Sequence, residues 1–431
     1  MRDMIKIYRD SDIDFGSVFD RSETQADVSG DVSRIIRDVR ENGDEALIRY
    51  CEKFDGARIS QIEVSAERID EAFERVDKKF IDVMRRAAEN IRKFHLRQVR
   101  AGFMISDGPG VVMGQRVLPI EKVGLYVPGG TAALPSSLLM NCIPAKIAGC
   151  SQICVITPPT GGEVSDVILA AARIAGADRV FRSGGAQAIA ALAYGTQSVP
   201  AVDKIVGPGN AYVAEAKRQV YGRVAIDMIA GPSEILIVAD GTCAAEYVAA
   251  DMLSQAEHDR RASAVLVTDS AELAEAVSEQ LRLQLQRLPR REIAEASLQA
   301  NGKIIVVEDI ARAVDIANRI APEHLELCVD DPFALLGAVK NAGSVFLGKN
   351  CPEALGDYFA GTNHVLPTSG TARFFSPLSV DDFVKKYQYT YYTEEALSQV
   401  ADDIEYFAER EGLSGHARSV AVRREGKGGR A

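Results

Sequence analysis

Histidine is scarce in this chain, five in 431 residues, and one of them, His258, has a carboxylate on either side. The stretch "LSQAEHD", Leu253 to Asp259, sets Gln255 three residues before His258. On one helix from Ala245 to His258, Ala245, Val248, Ala249, Met252, Leu253 and Ala256 make an apolar face. Tyr247, Asp251, Gln255 and His258 then form a narrow strip opposite. Gln255 and His258, at i and i+3, converge on one point and offer half a metal site. A neutral glutamine oxygen is an unusual zinc ligand, so the strip read alone is first the polar side of a surface helix.

The second pair is Glu323 and His324 in "APEHLELCVD". Leu325, Leu327 and Val329 alternate as in a half-buried strand, which puts the pair at its mouth just after Pro322. A carboxylate beside an imidazole suits general acid–base chemistry, and a polar loop would look the same. Asp357 and His364 lie in "GDYFAGTNHVLPTSGT", a long loop rich in Gly, Thr and Pro, of a kind that is either functional or plain surface. Glu411 and His416 lie in "EREGLSGHARS", by itself a polar helix end. His95, in "RKFHLRQV", has neither acidic nor glycine-rich company and reads as structural.

Three glycine-rich turns, "YVPGGTAALPSS", "RSGGAQAIAAL" and "VGPGNAYVAEAK", each follow an apolar run and open a helix, where backbone amides can receive phosphate. The third departs from G-x-G-x-x-G, with Tyr212 at the last glycine position and a proline intruding. It suggests a looser phosphate or nucleotide site. Cys150 and Cys154 have no second pair to complete a zinc cage, and no cysteine has an activating setting for a thiol nucleophile.

The elements that must position these residues follow from periodicity. From residue 24 to 100 the chain reads as helices, clearest in "RIDEAFERVDKKFIDVMRRAAENIRKFHLRQV". From Lys122 short β-branched runs take over: "KVGLYV", "QICVITPP", "RVFRSG", "DKIVGP" and "VAIDM", then "EILIVAD", "SAVLVTDS", "KIIVVED", "HLELCVD" and "AGSVFLG". Helical stretches separate them, the signature of parallel βαβ units. The predicted fold is α/β, with two Rossmann-like parallel-sheet domains, one inserted in the other, a helical N-terminal arm and a C-terminal tail. The expected boundaries are an arm over 1–22, a catalytic and metal-bearing domain over 23–125 and 234–376, a cofactor domain over 126–233, and a dimerisation tail over 377–431. The end "REGKGGRA" reads as disordered.

A net charge of −11 argues against a nucleic-acid partner. No run approaches the roughly 18 apolar residues of a membrane span, and the N-terminus does not read as a signal or transit peptide. Seven scattered cysteines fit reduced thiols and a cytoplasmic location.

Together the motifs say more than singly. "YVPGG", "SGGAQAIAALAYGT", "GPGNAYV", "AGPSE", "SQAEHD", "APEHLEL", "GDYFAGTNHVLPT" and "EGLSGH" resemble, in the same order, the motifs of the histidinol dehydrogenase family. The resemblance runs from about Ser22 to Arg424. It implies oxidation of L-histidinol to L-histidine through histidinal, with two NAD molecules and one zinc ion per site, in histidine biosynthesis. It implies Gln255, His258, Asp357 and His416 as metal ligands, His324 as base and Glu323 as activator of water. It implies Ser233, His364 and Glu411 at the substrate, which the metal ligands and His324 also contact, and Tyr126, Gln187 and Asn210 at NAD. It also implies a homodimer in which Glu411 and His416 come from the neighbouring subunit. A related dehydrogenase of another amino alcohol or polyol is the near alternative, and a zinc hydrolase or a non-catalytic binding module the distant ones.

Overall fold

The computed structural model describes residues 4–14, 16, 27–56, 58–129 and 133–425. The expected disorder of the extreme C-terminus therefore falls, beyond Glu425, outside the described residues. In chain order the strands are β1 (Lys6–Arg9), β2 (Phe103–Gly108), β3 (Val111–Pro119), β4 (Lys122–Tyr126), β5 (Gln152–Thr157), β6 (Arg179–Arg182) and β7 (Lys204–Val206). They continue with β8 (Ala225–Ile226), β9 (Glu234–Ala239), β10 (Ser263–Thr268), β11 (Lys303–Val306), β12 (His324–Cys328), β13 (Ser344–Leu347) and β14 (Val384–Tyr392).

Two parallel sheets carry the larger of two compact units, residues 1–99 and 120–383. One has the order β6-β5-β4-β7-β8, the other β1-β11-β10-β9-β12-β13. Both are the α/β architecture expected from strand–helix alternation. All residues of β9, β10 and β12 are buried. Helical crossovers cover both faces of a parallel sheet, so its central strands are buried on both sides. That corrects the half-buried reading of "HLELCVD": the alternation there is Glu326 tucked into the interior, not one face in water.

The helices Ser29–Asn42, Asp44–Asp55, Ala66–Arg75 and Lys78–His95 occupy the stretch predicted to be helical. Ser65 and Asp77 cap the last two, accepting from the Arg68 and Phe80 amides. Their apolar stripes pack on the five-stranded sheet and its helices. Val32, Ile35 and Leu47 join Ala188 and Ile189, while Met84 and Ile91 join Leu138 and Ile143. The chain's start holds a strand that the sequence reading did not contain. β1 pairs in parallel with β11, Ile7 opposite Ile304, and closes one edge of the six-stranded sheet.

The smaller unit, residues 100–119 and 384–431, is built on an antiparallel sheet of order β14-β3-β2 and the helices Glu394–Arg410 and Ser414–Glu425. The first of these helices lies within the stretch expected as the tail. The three strands were not foreseen.

Candidate active site and cofactor cavity

His324 opens β12 and Glu234 opens β9, and the parallel register sets His324 opposite Ile235. His324 Nδ1 lies 2.9 Å from the Glu234 carbonyl oxygen. A carbonyl can only accept, so Nδ1 carries the proton and Nε2 keeps its lone pair. Nε2 is buried and meets no hydrogen-bond partner. Burial holds the imidazole's pKa down to about 4, with the neighbouring Asp357 charge pulling the other way. The ring is therefore a neutral base at neutral pH. Beside it, the Glu323 carboxylate accepts the Glu234 amide at 2.8 Å through Oε2, the atom 3.7 Å from His324 Nδ1.

The helix Glu353–Tyr358 supplies the opposite wall. Asp357 sits on it, not in the loop to which the sequence reading gave it, and the glycine-rich loop begins only after its end. Its i, i+4 spacing brings Glu353 and Asp357 to one face. A nitrogen of His258 and carboxylate oxygens of Glu353 and Asp357 lie within 4.8 Å of one another. Burial, then the charges of Asp357 and Glu323, push the Glu353 carboxyl well above its ordinary value. His364, whose Nδ1 donates to the Asp357 carbonyl at 3.1 Å, is lowered by burial.

Gln255 is fully buried, which removes the solvated-strip reading. With its amide nitrogen toward Glu353 it donates to both carboxylate oxygens, at 2.9 and 3.2 Å. That leaves the amide oxygen as the atom free to accept or ligate. The helix carrying it ends at Ala256, so His258 stands in the following turn and not on the helix as predicted. The turn is held by the His258 amide donating to the Gln255 carbonyl at 3.2 Å. The two side chains still reach one region because the turn continues the helical sense for a few residues.

Ser233, His258, Glu323, His324, Asp357 and His364, far apart in sequence, line one cavity of about 180 Å³. Glu353 joins them and was missed, although its spacing to Asp357 in "PEALGDY" is the sign of a shared helix face. Glu411 and His416 belong to the smaller unit. Glu411 caps the helix Glu394–Arg410, and His416 is an exposed residue of the last helix. His95 is buried, its Nδ1 2.7 Å from Gln98 Oε1.

A second cavity, of about 490 Å³, opens at the carboxyl ends of β4, β5, β6 and β7. In that sheet the chain order reverses between β4 and β7, and open α/β sheets bind ligands at such a switch point. Tyr126, Gln187 and Asn210 all line it. The Tyr126 hydroxyl accepts the Gly185 amide at 3.1 Å, and burial pushes its pKa up to about 12. Asn210 caps the next helix, its Oδ1 accepting the Tyr212 and Val213 amides, so its amide N–H groups remain as donors. The Glu323 and His324 pair stands instead at the amino ends of strands, a placement that no general rule for parallel sheets predicts. No helix among the described residues is long and apolar enough to cross a membrane.

The family model for histidinol dehydrogenase matches residues 19–424. A histidinol dehydrogenase of Bacillus cereus is 55% identical over 398 residues, covering 92% of this chain and 93% of that protein. One of Clostridium acetobutylicum is 52% identical over 429 residues, covering 98% and 100%. The crystal structure of histidinol dehydrogenase from Elizabethkingia anophelis has 38% identity and a TM-score of 0.94, covering 99% of each chain.

Proposed function

The chain belongs to the histidinol dehydrogenase family, and from that premise we propose that it oxidises L-histidinol through L-histidinal to L-histidine, using two NAD molecules and one zinc ion per site. The observation that carries this reading is the convergence of His258, Asp357, Glu323, His324, His364 and Ser233 on one cavity. The donor set fits zinc: an imidazole, a carboxylate and a buried amide oxygen, gathered without thiolate. Glu353 and Asp357 lie on one helix face beside His258, and a cation there would offset the burial and the Asp357 charge that push the Glu353 carboxyl up.

Gln255, His258 and Asp357 would hold the metal, with His416 from the second copy of the chain. When bound, zinc supplies a fixed point of attachment for the nitrogen donors of the substrate, and NAD accepts the hydride. The side chains do the rest. His324 Nε2 takes the alcohol proton, since it is the unprotonated nitrogen and faces no competing donor. Glu323 activates water for the aldehyde, and the hydrate then loses the second hydride. No thiol takes part. Cys328, nearest His324 in sequence, is pushed far up by a Cys243 hydrogen bond and by burial. Ser233, His364 and Glu411 bind the substrate, and Tyr126, Gln187 and Asn210 bind NAD. In this reading the stretch 126–233 is the cofactor domain and 377–431 the dimerisation tail, in a cytoplasmic homodimer of histidine biosynthesis.

The test is stoichiometric. With histidinol the protein should release two NADH per substrate consumed. Chelation should abolish that release and added zinc restore it. Full turnover in a verified metal-free sample, or one NADH per histidinol with aldehyde accumulating, would sink the proposal.

A further inference from the structure

The cofactor cavity holds a residue that neither the mechanism nor the glycine-rich turns explain. Asp55 is the last residue of the helix Asp44–Asp55 and lines the cavity together with Tyr126, Gln187 and Asn210. A carboxylate there opposes the negative end of the helix dipole. Its Oδ2 is buried and meets no hydrogen-bond donor. The influences on its carboxyl are burial and a hydrogen bond from the Cys51 thiol, with no cation among them. A half-buried anion with one unpaired oxygen is costly, and a donor brought to its cavity-facing side offsets part of that cost. Among the described residues lining this cavity Asp55 is the only charged one, and no lysine or arginine stands there. The cavity thus offers neutral backbone and amide donors at the strand ends and one lone acceptor on its far element.

We propose that Asp55 is the residue that selects NAD over NADP, the cavity-facing side of its carboxylate accepting a hydroxyl of the adenosine ribose. A ribose diol supplies the O–H donors that Asp55 lacks. A 2′-phosphate supplies none and brings negative charge against a carboxylate that no cation offsets. Acidic residues serve dinucleotide sites of the standard type in this way, from the strand that follows the fingerprint helix. Here the acid arrives from a helix some 70 residues before the first cofactor strand. The role rests on the reading of the cavity as a dinucleotide site and adds to it the basis of cofactor choice.

The experiment separates binding from turnover. The zinc-loaded full chain is titrated calorimetrically with ADP-ribose and with 2′-phospho-ADP-ribose, and kcat/KM is measured with NAD and with NADP. Wild type should prefer ADP-ribose by about 100-fold or more, the size that like charges a few ångströms apart sustain near a protein surface. Asp55→Asn should bring the two ligands within about tenfold, and the kcat/KM ratio should move in the same direction. Asp55→Ser, which keeps a small polar helix end, serves if the amide variant does not fold. An unchanged preference in a folded variant overturns the proposal, as does a wild type that binds both ligands alike. Selective ADP-ribose binding by a protein that leaves histidinol untouched would overturn the proposed reaction and leave the role of Asp55 standing.

Discussion

At the scale of single residues, the Glu234 carbonyl decides which proton His324 holds, and burial decides that it holds only one near neutrality. Two predictions follow from these side chains. If His324 serves the alcohol and Glu323 the water, Glu323→Gln should fall about tenfold or less in histidinol-to-histidinal oxidation. It should fall roughly 100-fold or more with histidinal supplied directly, in the range a positioned proton acceptor contributes. Equal losses on the two substrates would remove the division of labour. The second concerns stability of the metal-free protein. A histidine whose pKa is lowered in the fold binds its proton more readily when unfolded, so its neutral burial stabilises the fold at neutral pH. That contribution is lost as pH falls from the unfolded value near 6.5 through the folded value of about 4. Denaturant unfolding across that window should lose roughly 3 kcal/mol less in His324→Asn than in wild type, whatever the variant's stability at pH 7. Parallel profiles would show that the imidazole is not buried neutral. Read alone, Gln255 with His258 fitted a surface helix and Glu323 with His324 a polar loop, and the site became legible only through the order of the motifs. Glu353 was missed despite its spacing to Asp357, since its burial and its place beside Gln255 exist only once the helices Ala245–Ala256 and Glu353–Tyr358 have met.

At the scale of elements, both cavities owe their form to strand ends. β4 and β7 lie side by side, and the chain leaves β7 through Gly207 at φ +114°. A Cβ at that position would run into the Tyr126 carbonyl oxygen. The same turn is pinned from below. The Gly207 amide donates to Asp227 at 2.8 Å, and the Gly207 carbonyl accepts Lys217 Nζ at 2.9 Å. Lys217 and Asp227 themselves form a fully buried ion pair. Strain from a forbidden φ and a clash with backbone add here, so Gly207→Ala should destabilise by about 3 kcal/mol or more and lower the affinity for NAD sharply. Thermal unfolding and a dinucleotide titration measure the two effects, and a variant with near-normal values of both would show that the turn relaxes freely. Ten strands from β4 to β13 were legible because parallel strands are continuous apolar runs bounded by turns. β1 was not, being a four-residue edge strand with one neighbouring strand and no apolar run of its own. β2, β3 and β14 were missed for another reason. Their residues are mostly exposed or half-exposed, with no apolar run, and the alternation of Tyr387, Tyr389 and Tyr391 with polar neighbours in "VKKYQYTYY" was overlooked.

At the scale of the whole molecule, the smaller unit presents apolar and aromatic side chains to solvent. Phe103, Met104, Tyr391, Tyr406 and Phe407 are all more than half exposed. Surface of this kind marks a place where another molecule packs. The same unit carries Glu411 and His416, which the family resemblance assigns to the substrate and the metal of a neighbouring subunit. A symmetric dimer makes that exchange reciprocal, each copy lending its tail to the other's site. The consequence is open to test with two inactive proteins. One carries His416→Ala and keeps Glu323, and the other carries Glu323→Ala and keeps His416. When subunits exchange, a mixed dimer has one site with an intact Glu323 and a borrowed, intact His416, while its other site holds both lesions. At random pairing of equal amounts, half of the dimers are mixed and half of their sites are whole, so about a quarter of wild-type activity should return. If the tail instead served its own chain, every site would keep one lesion and the mixture would stay dead. Subunit exchange is followed independently by mass spectrometry of differently tagged chains, and exchange without recovered NADH production would overturn the shared site.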